Sequence, residues 1–156
     1  MGTKRVGLAR MEALIENLKR SLNLGTATIS LESLTSEKDV VITAGTVDIA
    51  DGGAVVQASS KTTGVTLNTH SGKITMHNGA LAAAAEVIFT VTNSKCAATD
   101  IVVVNHASAG TAGDYLVQAC DIGAGSFKIT VANIHASTTH SEAIVLHFAL
   151  IKMKHS

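Results

Sequence analysis

The chain has 156 residues, 12 basic and 12 acidic side chains, and a formal net charge of zero at pH 7. Charged residues make up 15% of the chain, against roughly 25% in a typical soluble domain. The hydrophobic content of 46% argues against intrinsic disorder, and no apolar run approaches the ~20 residues of a membrane span. A surface with so little charge promotes association, so we expect an assembled protein.

Residues 4–24 show a helical pattern. Apolar residues recur at alternating spacings of three and four, which are the a and d positions of a coiled coil: Leu8, Met11, Ile15, Leu18 and Leu22. Gly25 follows the last of them, where a helix is expected to end. A helix of this length is marginal alone in water. It therefore needs a partner, which is either the body of its own subunit or copies of the same helix. The mixture of Leu, Ile and Met does not decide between a dimer and a trimer.

The N-terminal segment is basic. Its first 20 residues carry five basic and two acidic side chains, and Lys4, Arg5 and Arg10 lie at its start. These three residues are candidates for contact with an acidic surface of a larger particle; the alternative is an ordinary solvated helix face. No aromatic residues are interleaved with them, which argues against nucleic acid as a partner.

From Ala27 onward the apolar pattern changes to a period of two, which is typical of half-buried strands. Phe127, Ile129 and Val131 share one face of such a strand. Turn signals such as Asn78-Gly79 separate many short strands, which predicts an antiparallel sandwich or barrel. The alanine-rich residues 79–86 have helix propensity. Because they lie between two strand patterns and lack a polar face, we predict a loop there.

These patterns predict a mainly β protein, in which a short N-terminal α-helix precedes an antiparallel, jelly-roll-like β-sandwich. We divide it into the helix at 1–25, for oligomerisation or particle attachment, a connector with short strands at 26–58, and the sandwich body at 59–156. No secretory signal is expected, because the opening residues lack a long apolar stretch. Cys96 and Cys120 match no metal-ligand spacing, so we expect two free thiols, buried as small apolar residues.

Two strand candidates, at residues 100–104 and 143–151, are apolar on both faces. One face of the second candidate carries Ile144, Leu146, Phe148 and Leu150. A sandwich strand with one solvated face should show polar residues outward, so both strands need cover on their second face. That cover is either central burial within the domain or a neighbouring subunit, and we take these four residues as candidate oligomerisation residues.

The sequence contains none of the common catalytic or cofactor motifs. It lacks a phosphate-binding loop, a nucleophile elbow, a zinc-protease helix and a calcium loop. The spacings of His135, His140 and His147 match no common metal site. We therefore predict no catalytic residue, no metal ligand and no cofactor. A non-enzymatic protein is the prediction, and an enzyme is the least supported hypothesis.

Turn-and-strand motifs cover most of residues 58–152, and the first 20 residues form a further motif. They read GTKRVGLAR at 2–10, ALIENLKR at 13–20, SKTTGVTLN at 60–68, GKITM at 72–76, FTVTNS at 89–94, DIVVVN at 100–105, AGSF at 124–127 and SEAIVLHF at 141–148. In these motifs the chain resembles small virion structural proteins of tailed bacteriophages of marine bacteria, especially those that infect cyanobacteria.

This resemblance implies a homotrimer that decorates or cements the capsid, or that lies at the end of a fibre, with no active site. Its partners would be itself and the major capsid protein or other virion proteins, and not a membrane. Its location would be the virion, assembled in the host cytoplasm. We favour capsid decoration, because 156 residues are few for a fibre with a shaft. The alternative is a fibre or head-fibre knob that binds a host receptor or glycan through the turns at 106–115 or 135–140.

Overall fold

The computed structural model describes Arg10, Met11 and residues 52–153. Arg10 and Met11 are both exposed. The rest of the predicted helix lies outside the described residues, and with it the other candidate coil and particle-contact residues, namely Lys4, Arg5, Leu8, Ile15, Leu18 and Leu22. The N-terminal helix and the division at residues 25 and 58 therefore stay predictions.

Residues 52–153 form a mainly β, sandwich-like body, as predicted. Its eight strands are β1 (Gly52–Val56), β2 (Val65–Thr66), β3 (Ser71–Thr75), β4 (Glu86–Thr92), β5 (Ile101–Ser108), β6 (Tyr115–Gly123), β7 (Ser126–Asn133) and β8 (Val145–Ile151). Sheet 1 has the strand order β1-β3-β8-β5, and sheet 2 has the order β2-β4-β7-β6. Strand β1 lies within the range predicted as a connector, and it pairs with β3 at one end of sheet 1.

Both sheets are mixed, whereas the sequence predicted antiparallel ones. The pairs β1–β3 and β2–β4 are parallel, and the other four pairs are antiparallel. The cause is the path of the chain, which passes between the two sheets at every connection except the β6–β7 hairpin. Because β2 lies in the opposite sheet, β3 returns beside β1 in the same direction. Alternation of apolar and polar residues carries no information about this choice.

The core lies between the two sheets. Phe127, Ile129 and Val131 of β7 are fully buried, which confirms the face predicted for them. The ring of Phe127 lies 5.3 Å from that of Phe148 in sheet 1, centroid to centroid, at an interplanar angle of 60°. Such tilted aromatic pairs add to the stability that comes from burial alone. The contact shows that the inner faces of the two sheets pack on each other.

One glycine makes this close packing possible. A Cβ atom at Gly72 would lie 2.5 Å from Cδ2 of Leu67 and 2.9 Å from Cε1 of Phe148. Both distances are shorter than any ordinary carbon–carbon contact. The absence of a side chain on β3 therefore lets Leu67 and Phe148 fill the space above it.

The alanine-rich segment at 79–86 is a loop, as predicted, and β4 begins at its last residue, Glu86. The side chain of Leu81 is buried, and its backbone forms an isolated antiparallel bridge with His140. The backbone of Ala84 lies in the left-handed region, with a φ of 56°, which a right-handed helix excludes. Tertiary contacts thus outweigh the helix propensity of alanine. No helix among the described residues is long and apolar enough to cross a membrane.

Candidate functional site

The outer face of sheet 1 carries adjacent exposed apolar side chains. Ile101 of β5 pairs with Ile151 of β8, and Val103 pairs with Ala149. Ile101, Val103 and Ile151 are 48%, 49% and 46% exposed. We call these three residues and Ala149 the apolar face. It is the second face of the two strands that the sequence marked as apolar on both sides, and among the described residues nothing covers it fully.

The candidate oligomerisation residues in and just before β8 lie on the opposite side from the apolar face. Ile144, Leu146, Phe148 and Leu150 are no more than 4% exposed and belong to the core of their own chain. Their burial corrects the assignment: they stabilise the subunit, and the residues that β8 exposes are on the alternate face, which includes His147 and Ile151. A period of two shows that two faces exist, but it does not show which one points inward.

The lysine next to the apolar face is neutralised within the chain. Nζ of Lys152 lies 2.5 Å from Oδ2 of Asp100 and also donates a hydrogen bond to the carbonyl oxygen of Lys95. The backbone N–H of Ala97 donates to the same oxygen of Asp100, at 2.8 Å. Burial acts to raise the pKa of Asp100, but these hydrogen bonds outweigh it and hold the pKa below its usual value. The carboxylate therefore stays ionised as the partner of Lys152.

Strand β5, which carries part of the apolar face, is a terminal strand of sheet 1. Its sequence, IVVVNHAS, contains no Lys, Arg, Asp or Glu. Terminal strands commonly carry charges, which discourage pairing with other chains. Within residues 52–153, the pairing of β5 with β8 has one irregularity, a register shift between His106 and Ser108 at the end of the strand.

The outer face of sheet 2 is different. Its two exposed large apolar residues, Ile88 on β4 and Leu116 on β6, lie in different rows of the sheet, because Ile88 pairs with Thr130 and Leu116 with Ala132. Single exposed apolar residues are ordinary on a protein surface. The contiguous apolar surface is therefore a property of sheet 1 among the described strands.

A second feature is a cluster of polar side chains, which we call the loop cluster: Thr111, Asp114, Tyr115, His140 and Glu142. Nε2 of His140 lies 2.8 Å from Oδ2 of Asp114, and its Nδ1 lies 3.4 Å from Oε2 of Glu142. The hydroxyl of Thr111 donates to Oε1 of Glu142 at 2.8 Å, and the hydroxyl of Tyr115 donates to Oε2. The cluster thus joins the two turns that the alternative hypothesis singled out at 106–115 and 135–140.

Ring contacts and a glycine complete this junction. The ring of His106 meets that of Tyr115 edge-on at 5.5 Å, and the ring of His135 meets that of His140 at 5.9 Å. Gly110 has a φ of 75°, a conformation that glycine adopts readily. A Cβ atom there would lie 2.5 Å from Cγ2 of Ile144. Glycine is required at position 110 because the turn at 106–115 packs directly on Ile144, the residue just before β8.

The protonation states in the loop cluster follow from these contacts. Burial and the hydrogen bond to Glu142 raise the pKa of Tyr115, so its hydroxyl stays a donor. Hydrogen bonds from Tyr115 and Thr111 lower the pKa of Glu142, so it stays an ionised acceptor. The part of the chain that the structure describes has no buried side-chain nitrogen or oxygen without a partner. A cluster whose polar groups satisfy one another in this way stabilises the fold.

A buried lysine connects to this cluster from the other side. Lys61 is 4% exposed, and its Nζ donates to the carbonyl oxygens of His77, at 2.8 Å, and Glu142, at 2.7 Å. Burial lowers the pKa of Lys61, and the charge of Glu142 opposes this effect. No sequence signal pointed to Lys61, because its acceptors are backbone atoms of distant segments.

The histidines and cysteines that the structure describes form no metal site. His135 and His140 contact each other. His147 lies elsewhere, exposed on the outer face of sheet 1. Within the described part of the chain, no group of three His, Cys, Asp or Glu residues is arranged to hold a metal ion. Cys96 is buried and Cys120 is half-buried, and both thiols are free.

An open cavity of about 300 Å³ lies beside β1 on sheet 1. It is lined by Gly52, Gly53, Ser71, Gly72, Lys73, His147 and Phe148. The glycines leave a shallow depression in the sheet.

Compared with protein-family models, curated proteins and solved structures, the chain matches none of them.

Proposed function

We propose that this chain is a non-enzymatic structural protein of a tailed-phage virion, which assembles as a homotrimer and decorates or cements the capsid. The observation that supports assembly is the apolar face of sheet 1. The phage role comes from the resemblance of the sequence motifs. Self-assembly and the phage role thus have separate support.

The occupant we propose for the apolar face is another copy of the chain. Identical copies with a net charge of zero do not repel each other. Lys152, which follows Ile151 in the chain, is already paired with Asp100, so a partner that covers it need not bury an unpaired charge there, which would be costly. In the proposed trimer, the heptad residues at 8–22 bring the copies together, and the apolar faces pack between them.

The finer architecture also belongs to this proposal. We propose a jelly-roll-like wrapping, which is supported by the passage of the chain between the sheets at six of its seven connections. The parallel pairs β1–β3 and β2–β4 are a departure from an all-antiparallel form. Lys4, Arg5 and Arg10 are the proposed contacts with the major capsid protein or another virion protein.

The test is the mass of the full-length chain by multi-angle light scattering, compared with two double variants. We expect three chains for the wild type and a lower mass for Val103→Lys with Ile151→Lys, because the new ammonium groups would have to be desolvated in the interface. The matched control is Ile88→Lys with Leu116→Lys on sheet 2, which should keep the trimer.

A monomeric wild type at micromolar concentration would contradict self-assembly. A trimer that survives the sheet 1 variant would show that the apolar face is not the interface. A further variant, Ile15→Lys with Leu18→Lys, tests the heptads separately. Loss of the trimer in this variant alone would place the contact in the coil and exclude the apolar face as its main source.

The second candidate function is a fibre or head-fibre knob that binds a host receptor or glycan. It is supported by the loop cluster, which brings the turns at 106–115 and 135–140 to one surface through the contact of His140 with Asp114. A glycan array with the full-length chain tests it. Specific binding that is lost on mutating exposed residues of these turns would favour the knob, and an array without hits would favour decoration.

A further inference from the structure

The Asn78-Gly79 dipeptide, one of the turn signals in the sequence, lies between β3 and β4. In the structure these residues lie in the irregular segment that follows β3. Asn78 is exposed, and its side chain makes no hydrogen bond with any described residue. The Asn78 amide is therefore free to rotate toward the backbone of the next residue.

The backbone nitrogen of Gly79 has an unusual neighbour. Its N–H donates a hydrogen bond to Nδ1 of His77 at 2.9 Å. A Cβ atom at position 79 would lie 3.2 Å from the same nitrogen, so the absence of a side chain makes the approach easy. In this arrangement Nδ1 is the unprotonated nitrogen of the imidazole, because only that form accepts a hydrogen bond.

The position of His77 is fixed by two buried side chains. Its backbone N–H donates to Oε1 of Gln57 at 3.0 Å, and its carbonyl oxygen accepts from Nζ of Lys61 at 2.8 Å. Gln57 is itself held by the carbonyl oxygens of Lys61 and Thr63, at 3.1 and 2.8 Å. These hydrogen bonds hold the backbone of His77 in place, which favours a constant distance between its Nδ1 and the Gly79 nitrogen.

We propose that Asn78 is a site of self-catalysed deamidation in which His77 is the general base. Nδ1 of His77 takes the proton of the Gly79 N–H, and the nitrogen attacks Cγ of Asn78. The new N–Cγ bond closes a succinimide ring, the Cγ–Nδ2 bond breaks, and the leaving group takes up a proton and departs as ammonia. Water then opens the ring to aspartate or isoaspartate, and no oxidant or reductant is needed. A base within hydrogen-bond distance of the proton it removes is the geometric requirement for such catalysis.

The modification would add one negative charge per chain to a surface loop. If the chain is present in many copies on a particle, the charge of the particle would change with age. The inference does not depend on the proposed function, because it concerns the chemistry of residues 77–79 within a single chain.

The test follows deamidation of the intact, folded protein by peptide mapping and mass spectrometry during incubation at neutral pH. Each event raises the peptide mass by about 1 Da. We expect Asn78 to react faster in the folded protein than in the same protein unfolded in urea. We also expect His77→Phe, which keeps an aromatic ring but removes the acceptor, to slow the folded reaction by about 100-fold or more.

Two further variants make the result specific. Asn78→Gln should abolish the mass change at this peptide, because the longer side chain does not close a five-membered ring efficiently. Lys61→Met leaves the imidazole in place but removes one clamp, and it should give an intermediate rate if circular dichroism shows that it folds. A folded rate no higher than the unfolded rate, or an unchanged rate in His77→Phe, would overturn the proposal.

Discussion

The hydroxyl of Tyr115 donates a hydrogen bond to the carboxylate of Glu142, although the two residues are 27 positions apart in the chain. Tyr115 begins β6 in sheet 2, whereas Glu142 lies just before β8 in sheet 1. This hydrogen bond therefore joins the two sheets at the loop cluster.

We expect Tyr115→Phe to destabilise the protein by about 1–3 kcal/mol, because a hydrogen bond to a charged group is lost while the ring contacts remain. Urea unfolding followed by circular dichroism measures the change. Gln118→Ala, an exposed change on the same strand, is the control and should stay within about 0.5 kcal/mol of the wild type. Equal stabilities of wild type and Tyr115→Phe would show that the hydrogen bond contributes nothing.

Acidification should weaken the fold through Glu142 and Asp100. Their pKa values lie below the ordinary 4.5 and 3.8 in the folded protein, so the unfolded chain binds protons first as the pH falls. The stability that these groups supply is complete above their unfolded values and is lost as the pH falls through their folded values. The free energy of unfolding, measured from about pH 7 to pH 3, should decline less steeply in Glu142→Gln. A parallel decline in both proteins would contradict the assignment to Glu142.

Lys61→Met should destabilise the protein by about 1–3 kcal/mol, because the carbonyl oxygens of His77 and Glu142 each lose a buried donor. The exposed Lys73→Met is the matched control, and its effect should stay within about 0.5 kcal/mol. In the wild type, we also expect the free energy of unfolding to increase at alkaline pH because of Lys61. Because burial lowers the pKa of Lys61 below 10.5, its contribution to stability should rise between the folded and unfolded values. This gain is best measured in Tyr115→Phe, since the raised pKa of Tyr115 has the opposite effect above about pH 10.

Gly72→Ala tests the packing between the sheets. The added methyl group would overlap Leu67 and Phe148, and we expect a loss of about 1–3 kcal/mol, which is typical of an overpacked core. Gly123→Ala is the control, because the nearest atom to its new Cβ would be 3.8 Å away. The two melting temperatures should differ by several degrees; similar values would mean that β3 moves aside without cost.

The sequence predicted those features that depend on local patterns. Alternation placed Phe127, Ile129 and Val131 on the inner face, and the lack of a polar face at residues 79–86 indicated a loop. The inward face of β8 was not predictable in the same way, because Ile144 and Ile151 are equally apolar and lie on opposite sides. The packing of sheet 1 on sheet 2, as in the contact of Phe148 with Phe127, decides which of them is buried.

The loop cluster shows a different limit. The turns that contain His106 and His135 were singled out as two separate binding regions, and the structure joins them through Asp114 and His140. The roles of Glu142 and Lys61 were missed, because the hydrogen bond between them spans 81 positions, those of Glu142 with Thr111 and Tyr115 span 31 and 27, and none of these leaves a trace in residue spacing. Contacts of this kind follow from topology, which a single sequence does not display.

The single hairpin of the sandwich has a consequence for the rate of folding. Among the eight described strands, only β6 and β7 are neighbours both in the chain and in a sheet, and the other pairs join strands that are separated in the chain by at least one other strand. Such chains lose much conformational entropy before their contacts form, and they fold in about milliseconds to seconds, more slowly than helical proteins of equal size. We expect the β6–β7 hairpin to be the first ordered element, and the pairing of β3 with β8 to limit the rate.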